Sequence, residues 1–233
     1  MEKENQYCYK YPRPAVTTDN VIFGFGEGEL KVLLVERGGE PFKGHWALPG
    51  GFMNMDEDAD TCACRELEEE TGLKNVYSEQ LYTFSAVDRD PRYRVVSVAY
   101  YALVKLSDYV VKAGDDASKA QWFPLSTLPA LAFDHQRILQ MAIDRLKGKI
   151  RYQPVGFELL PEKFTIPDLQ RLYESALQTT LDRRNFRKKI LKTGLLIDTD
   201  ERTEGVPHKR AKYYSFDKAK YQALSEKGFY FEL

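Results

Sequence analysis

The sequence predicts an α/β protein of two domains, and three observations lead to that prediction. The chain has 233 residues, enough for one large or two small hydrophobic cores. Up to about residue 150 strand patterns outnumber helical ones, whereas the remainder follows the order helix, helix, strand pair. Net charge changes sign at the same place, because residues 151–233 carry 16 bases and 12 acids, net +4, and residues 1–150 are net −5. We therefore expect domains at 1–150 and 151–233 with different partners.

The first domain is expected to begin with two strands and a helix. Residues 15–26 and 30–36 are rich in β-branched and aliphatic side chains, and a Gly-Glu turn segment separates them. Residues 59–71 lack both Gly and Pro and consist mostly of helix formers. Gly72 then stands where a helix C-cap belongs.

Three further strands and one helix complete the first domain. Strand patterns occur at residues 80–87, 94–106 and 120–124. Asp134 is placed to cap a helix over residues 135–147. Apolar residues recur there at helical spacing, namely Ile138, Leu139, Ala142, Ile143 and Leu146.

The second domain begins with a helix that Thr165 is placed to cap. Pro167 and Asp168 fall in the first turn of that helix, where both are favourable. A second helix is expected to start near Asp182. Two strands joined by a polar loop are then expected at residues 194–198 and 211–216.

Composition excludes several classes of protein. The chain is 43% hydrophobic and 30% charged, as in an ordinary globular protein. No apolar run approaches the roughly 18 residues that a membrane span requires, and the N-terminal segment has no apolar signal region. Three cysteines without zinc-like spacing predict neither a disulfide framework nor a structural metal. We expect a cytoplasmic protein without a membrane partner.

The segment from Gly50 to Leu73 places eight carboxylates around a single base, Arg65. On a helix, the glutamates at positions 66, 69 and 70 lie within an arc of about 100°. A solvated helix would tolerate them, since each like-charge pair costs only about a few tenths of a kcal/mol. However, they border the side that carries Ala59, Cys62 and Ala63, and carboxylates beside a core favour a cation such as Mg²⁺, which prefers oxygen ligands. Glu68 points the opposite way and is expected to be solvated.

The same segment resembles the Nudix box at every defined position. The pattern is Gly51, five residues, Glu57, seven residues, Arg65-Glu66-Leu67, one residue, Glu69-Glu70, one residue, Gly72-Leu73. Residues 46–51, WALPGG, are also typical of that family. The resemblance implies an α/β/α sandwich around a mixed sheet. It also implies hydrolysis of a nucleoside diphosphate linked to another group.

Residue roles follow from the resemblance by position. Glu66, Glu69 and Glu70 would coordinate Mg²⁺ or Mn²⁺, with Glu57 as an additional ligand, and Arg65 would orient a box glutamate. Gly50 and Gly51 would let the backbone turn tightly beside the substrate; a plain loop turn is the alternative. The general base would be a box glutamate or an acid on a later loop. Asp115 and Asp116 are candidates, although solvated loop acids are an equal reading.

Substrate identity depends on residues 87–92, VDRDPR, which are similar to a stretch in Nudix proteins that handle ADP-ribose or related metabolites. The similarity implies that Arg89 and Arg92 contact phosphate, although a surface turn of mixed charge is an open alternative. His45 and His135 are expected to be incidental, since one lies in a glycine-flanked loop and the other in a first helical turn.

The second predicted helix of the C-terminal domain is strongly basic. Residues 181–192 contain six bases and one acid, while Phe186, Ile190 and Leu191 form an apolar seam. The loop between the two expected strands ends with Lys209 and Arg210. Bases on the second helix and on the strand pair match the layout of a winged helix-turn-helix, which binds DNA through those two elements. The predicted DNA contacts are Arg183, Arg184, Arg187, Lys188, Lys209 and Arg210.

The combination is similar to the Nudix-related transcriptional regulators of NAD metabolism and sugar use. That resemblance implies a homodimer on a palindromic double-stranded DNA operator, with a nucleotide-linked or sugar metabolite in the Nudix pocket shifting DNA binding. Many such regulators have degraded boxes, whereas this box keeps every carboxylate, so hydrolase activity stays open. Two alternatives remain, a sensor without turnover and a housekeeping pyrophosphatase whose C-terminal domain only supports dimerisation.

Overall fold

The first domain is built on one mixed β-sheet in the computed structural model, which describes residues 9–108, 117–203 and 210–229. The strands described in this sheet are β1 (Ala15–Gly26), β2 (Glu29–Arg37), β3 (Trp46–Ala47), β4 (Gly50–Phe52), β5 (Glu79–Phe84), β6 (Val95–Lys105) and β7 (Ala117–Pro124). Its helices are α1 (Ala59–Thr71) and α2 (His135–Tyr152).

Strand β1 is the centre of this sheet. It pairs in parallel with β6 over most of its length and in antiparallel fashion with β4 near its start and β2 near its end. Strand β5 lies beyond β6, while β2 also pairs with β7 and β3. One parallel pair among antiparallel neighbours makes the sheet mixed, as the resemblance to the Nudix family implies.

The two helices cover opposite faces of the sheet. Because successive side chains of a strand point to opposite faces, Ile22 packs in a cluster with Leu67 of α1. Its neighbours Val21 and Phe23 pack instead in a cluster that includes Leu139 of α2. These buried clusters confirm the predicted α/β/α sandwich.

Several predicted boundaries differ from the observed ones. The strand predicted to reach residue 87 ends at Phe84. Beyond it, Arg94 Nη1 donates hydrogen bonds to the carbonyl oxygens of Ser85 and Ala86, so these carbonyls do not pair with a neighbouring strand. Helix α2 continues past the predicted end at 147, since Ile150 is fully buried in the core. The predicted domain boundary at 150 therefore falls within its last turn. Among the described residues, no helix is long and apolar enough to cross a membrane.

Asp134 precedes α2 as predicted, but its side chain forms no capping hydrogen bond. The carboxylate instead accepts two hydrogen bonds from Arg89, with Nε at 3.1 Å and Nη2 at 2.8 Å. A charge-assisted, bidentate contact with a buried guanidinium is stronger than a neutral cap. The predicted cap is therefore wrong, because the arginine that takes this carboxylate is 45 positions away.

The second domain consists of helices and a small sheet. Its elements are α3 (Ile166–Leu177), α4 (Arg183–Lys192), α5 (Lys218–Ser225), β8 (Phe164–Thr165), β9 (Leu196–Arg202) and β10 (Lys212–Phe216). Strand β10 pairs in antiparallel fashion with both β8 and β9. Thr165 and Asp168 form a capping box at α3, and Asp182 caps α4 by accepting from the Asn185 amide. Both predicted caps are confirmed, whereas β8 and α5 were not predicted.

The hydrophobic core continues from one domain into the other. A single buried cluster contains Leu139 and Leu146 of α2 together with Leu169, Leu172 and Ile190 of the second domain. The Leu30 amide of β2 also donates to Ser175 Oγ of α3 at 2.8 Å. Helix α2 thus packs on both the sheet and the second domain.

Candidate functional site

A cavity of about 730 Å³ opens beside β1 and β4 in the first domain. Its size is typical of a small-molecule site. Its wall mixes acids with four arginines and a histidine. The charged and titratable residues that line it are Asp19, Glu36, Arg37, Arg65, Glu66, Glu70, Arg89, Asp90, Arg92 and His135.

Helix α1 brings two of the predicted carboxylates, Glu66 and Glu70, into this cavity. Local signals fix the helix, because Asp58 accepts from the Thr61 amide at its start and Gly72 ends it in a left-handed conformation. Glu70 Oε2 accepts from the Gly50 amide at 2.8 Å. Burial, together with the nearby carboxylates of Glu66 and Asp19, raises the pKa of Glu70 to about 8. Burial also raises the pKa of Glu66.

Two glycines let the backbone of β4 approach Glu66 and strand β1. A Cβ atom at Gly51 would lie 2.3 Å from Glu66 Oε1, and one at Gly50 would lie 2.1 Å from the Thr18 carbonyl oxygen. Neither separation is sterically possible without movement. The close approach therefore gives these glycines a role beyond that of a plain loop turn.

Arg65 contacts three box glutamates at once. Its Nη2 lies 2.6 Å from Glu57 Oε1, and its Nη1 lies 2.8 Å from Glu66 Oε1 and 2.9 Å from Glu69 Oε2. Hydrogen bonds from Arg65, together with one from the Asn54 amide, lower the pKa of Glu57 to about 2. Neither Glu57 nor Glu69 lines the cavity, and Glu69 is largely exposed. Glu68 points to solvent as predicted and pairs with Lys74 at 2.6 Å.

The donor set suits a hard divalent cation, although the carboxylates are not gathered as a cluster. Within the described residues, no group of three or more His, Cys, Asp or Glu side chains is arranged to hold a metal. Glu66 and Glu70 nevertheless share one cavity, repel each other and are penalised by burial. A cation between carboxylate oxygens would offset that cost, and oxygen ligands are those that Mg²⁺ and Mn²⁺ prefer.

The two predicted substrate arginines differ in accessibility. Arg89 is buried, and two carboxylates hold it, Asp134 through a bidentate contact and Asp19 at 3.2 Å. Arg92 is more exposed, pairs with Asp90 at 2.7 Å and lies 5.3 Å from the centre of the Phe52 ring. A ligand phosphate therefore reaches Arg92 more readily than Arg89.

Asp19 and His135 belong to this site, although neither was predicted there. Asp19 accepts from Ser97 Oγ and Arg89 Nη2, and His135 Nε2 lies 3.4 Å from Asp19 Oδ1. A sequence signal existed for Asp19, because Thr17 to Asn20 are four successive polar residues inside an otherwise apolar strand. His135 carried no such signal. His45, also set aside, is exposed and contacts the Lys43 carbonyl at 3.4 Å.

The basic side chains of α4 lie on its outer face. Phe186 and Ile190 of this helix are buried in the core. The predicted DNA contacts within the helix are all exposed, namely Arg183, Arg184, Arg187 and Lys188. Arg210 is exposed beside β10, while Lys209, Asp115 and Asp116 lie outside the described residues.

Comparison with protein families accounts for both halves of the chain. The model of the NUDIX domain matches residues 13–142, and that of the NrtR DNA-binding winged helix domain matches residues 156–216. The first match alone covers more than half of the 233 residues. The two ranges fall on either side of the last turns of α2.

Three relatives illustrate the similarity. The ADPR responsive transcriptional repressor NtrR of Acinetobacter baylyi is 37% identical over 195 residues, which are 82% of this chain and 78% of the relative. The ADP-ribose pyrophosphatase of Methanocaldococcus jannaschii is 42% identical over 130 residues, 56% of this chain and 73% of that protein.

The third relative, NrtR of Shewanella oneidensis, is known from solved structures. Its complex with a 27mer DNA has a TM-score of 0.70 and 34% identity, covering 86% of this chain and 93% of that one. Its NUDIX domain complexed with ADP ribose has a TM-score of 0.56 and 36% identity, covering 61% of this chain and 94% of that one. The chain belongs to the Nudix family and is an NrtR-like Nudix regulator with a C-terminal winged-helix DNA-binding domain.

Proposed function

We propose that this regulator binds an operator in double-stranded DNA as a homodimer, and that its Nudix pocket binds and hydrolyses ADP-ribose or a related nucleoside diphosphate derivative. The main support is the presence of Glu66 and Glu70 of a complete Nudix box in one cavity with Arg37 and Arg92. The ADP-ribose complex of the Shewanella oneidensis NUDIX domain and the pyrophosphatase relative both support this ligand class.

Several residues in and beside the pocket have defined parts in the proposed reaction. Glu66, Glu69 and Glu70 would hold Mg²⁺ or Mn²⁺, with Glu57 as an additional ligand and Arg65 orienting Glu57, Glu66 and Glu69. When bound, the ion neutralises phosphate charge and lowers the pKa of an attacking water. Arg92 would contact phosphate, while Gly50 and Gly51 keep the backbone close to the reacting groups. Arg89 would help to keep the pocket in shape without binding the ligand itself, because its guanidinium is held by Asp19 and Asp134.

Hydrolysis is tested by replacing one buried carboxylate and one solvated carboxylate of the same helix. With ADP-ribose and Mg²⁺, the wild-type protein should release AMP and ribose 5-phosphate. Glu70→Gln should lower kcat at least about 100-fold, because it removes a charged oxygen ligand from the pocket. Glu68→Gln is the matched control and should retain wild-type activity, since Glu68 faces solvent.

A sensor without turnover is the second candidate function. It is favoured by two observations: among the described residues no three His, Cys, Asp or Glu side chains are arranged to hold a metal ion, and Arg65 engages carboxylate oxygens of Glu57, Glu66 and Glu69. Calorimetric titration with ADP-ribose distinguishes the two functions. Binding accompanied by equally negligible hydrolysis in wild type and Glu70→Gln would establish the sensor and exclude the enzyme.

DNA binding is tested on α4. Arg184→Ala and Arg187→Ala should each weaken binding to DNA upstream of the protein's own transcription unit. Each should also reduce the slope of log affinity against log salt by about 1 if the side chain contacts a phosphate. Lys74→Ala removes the same charge from the first domain and should leave affinity unchanged.

Unaltered binding in both α4 variants would favour the housekeeping pyrophosphatase, in which the second domain only supports dimerisation. Light scattering on the eluting protein measures the oligomeric state directly. A homodimer should show twice the chain mass of 26.9 kDa.

A further inference from the structure

We propose that Asp19 and His135 are positioning residues of the Nudix pocket, which hold the backbone of residues 48–51 and, through it, the Glu70 carboxylate. The inference rests on the proposed hydrolysis only for its kinetic consequence. Its structural part, the anchoring of residues 48–51, is independent of any ligand.

His135 contacts this backbone at Leu48. The Leu48 amide donates to His135 Nδ1 at 2.9 Å, so Nδ1 is the acceptor and the proton of the neutral ring lies on Nε2. Nε2 faces Asp19 Oδ1 at 3.4 Å. Burial lowers the pKa of His135, which is consistent with the neutral ring that this arrangement needs.

Asp19 fixes the histidine from the opposite side. Ser97 Oγ and Arg89 Nη2 both donate to its Oδ2, which leaves Oδ1 for His135. The carboxylate is buried, and a carboxylate without such donors would be costly there. Arg89 in turn holds Asp134, which directly precedes His135 in the chain. The ring orientation is thus set by a polar network with contacts to β1, β6 and the start of α2.

Residues 48–51 are held by β1 and contact the Glu70 carboxylate. The Pro49 carbonyl accepts from the Asn20 amide at 2.8 Å, and Gly50 pairs with Asp19 across β1 and β4. The Gly50 amide then donates to Glu70 Oε2 at 2.8 Å. Residues 48–51 are therefore fixed by β1 on one side and His135 on another, and they fix the carboxylate in turn. Loss of the His135 contact should loosen this segment first.

A purely structural histidine would give a different experimental result, and two substitutions separate the roles of its nitrogens. His135→Gln can still donate to Asp19 but places no acceptor near the Leu48 amide. His135→Asn keeps an oxygen near the position of Nδ1 and loses the Asp19 contact. Ser175→Ala is the matched control, because it also removes a side-chain acceptor from a backbone amide of the first domain, that of Leu30.

The first measurement is amide hydrogen exchange of the full chain without ligand. In His135→Gln, exchange in the peptide covering residues 46–52 should be about three- to tenfold faster than in wild type, as expected for one lost hydrogen bond. Peptides of the second domain should not change. His135→Asn should recover most of the protection, and Ser175→Ala should leave residues 46–52 unchanged.

The second measurement is the kinetics with ADP-ribose and Mg²⁺. His135→Gln should lower kcat about three- to tenfold with little change in KM, because Glu70 is displaced while Arg92 still contacts the ligand. Asp19→Asn should have a smaller effect in the same direction. Ser175→Ala should match wild type.

The outcomes separate this inference from the proposed function. Absence of turnover in the wild type would remove the hydrolase proposal, while hydrogen exchange would still decide whether residues 48–51 are anchored by His135. Equal exchange and equal kcat in His135→Gln and Ser175→Ala would overturn the inference. If His135→Gln does not fold, faster exchange confined to residues 46–52 in Asp19→Asn supports it, and unchanged exchange there overturns it.

Discussion

A buried neutral histidine makes the stability of this chain depend on pH. Burial lowers the pKa of His135 below its usual 6.5, which the unfolded chain retains. Below that pH the unfolded state binds a proton that the folded state excludes. The contribution of the neutral ring is therefore fully present above about pH 6.5 and is lost as pH falls from there through the folded pKa.

We expect the free energy of unfolding to decrease more steeply between pH 6.5 and pH 5 in the wild type than in His135→Asn. The difference in slope should be at most about 1.4 kcal/mol per pH unit, the value for one proton. Denaturant titrations at several pH values measure it. His45→Asn, at an exposed position, should follow the wild type, and parallel curves for wild type and His135→Asn would contradict the prediction.

Residues of the site were predictable where their signal is local. The box glutamates, Arg65 and the glycines share one short segment, and α1 places two of the carboxylates in the cavity. The contacts of Arg89 were not predictable, because its partners Asp19 and Asp134 are 70 and 45 positions away. Only folding of the sheet brings these groups together. Burial then determines which of the charged side chains a ligand can reach, as the difference between Arg89 and Arg92 shows.

At the scale of elements, the capping box at α3 is expected to contribute measurably to stability. Thr165 Oγ1 accepts from the Asp168 amide, and the Asp168 carboxylate accepts from the Thr165 amide. Thr165→Ala should lower the free energy of unfolding by about 1 kcal/mol, a typical cost for a lost N-cap. Thr180→Ala, in an exposed loop after α3, should change it by less than about 0.5 kcal/mol. Thermal and denaturant unfolding give both values.

Most elements with local start and stop signals were predicted, although α5 was missed despite its Asp217 N-cap. Short elements that depend on distant pairing were not predicted. Helices α1, α3 and α4 each follow an Asp or Thr cap, which a sequence displays directly. Strand β8 has two residues and exists only because it pairs with β10, far along the chain. The last turn of α2 likewise depends on tertiary contacts, including the burial of Ile150 and the ion pair of Lys149 with Glu79.

On the scale of the whole molecule, the shared core predicts that both domains unfold together. Leu172 of α3 is fully buried in the cluster that also contains Leu139 of α2 and Phe23 of β1. Leu172→Ala should destabilise the chain by about 2–5 kcal/mol, the usual range for a large-to-small core substitution. Both tryptophans of the chain, Trp46 and Trp122, lie in the first domain, so their fluorescence should report this loss.

The control for this experiment is Leu191→Ala. Leu191 is on α4 but is largely exposed, so the tryptophan transition should stay within about 0.5 kcal/mol of the wild type. A tryptophan transition in Leu172→Ala that coincides with the wild-type one, while circular dichroism reveals earlier loss of helix, would mean that the domains unfold separately. Coincident, shifted transitions would support the single core.

Strand β1 has one further consequence, which concerns insertions and deletions. Thr18 and Asn20 contact Cys62 and Ala63 of α1, whereas Asp19, between them, faces Arg89 and His135. Suppose that one residue is inserted before Thr18 and shifts the register of the strand by one. Asp19 would then point toward α1, and Thr18 and Asn20 would point toward the cavity. Two additional residues would restore the alternation. Length changes in this part of the strand are therefore tolerable only in even numbers, unless a bulge absorbs the odd residue.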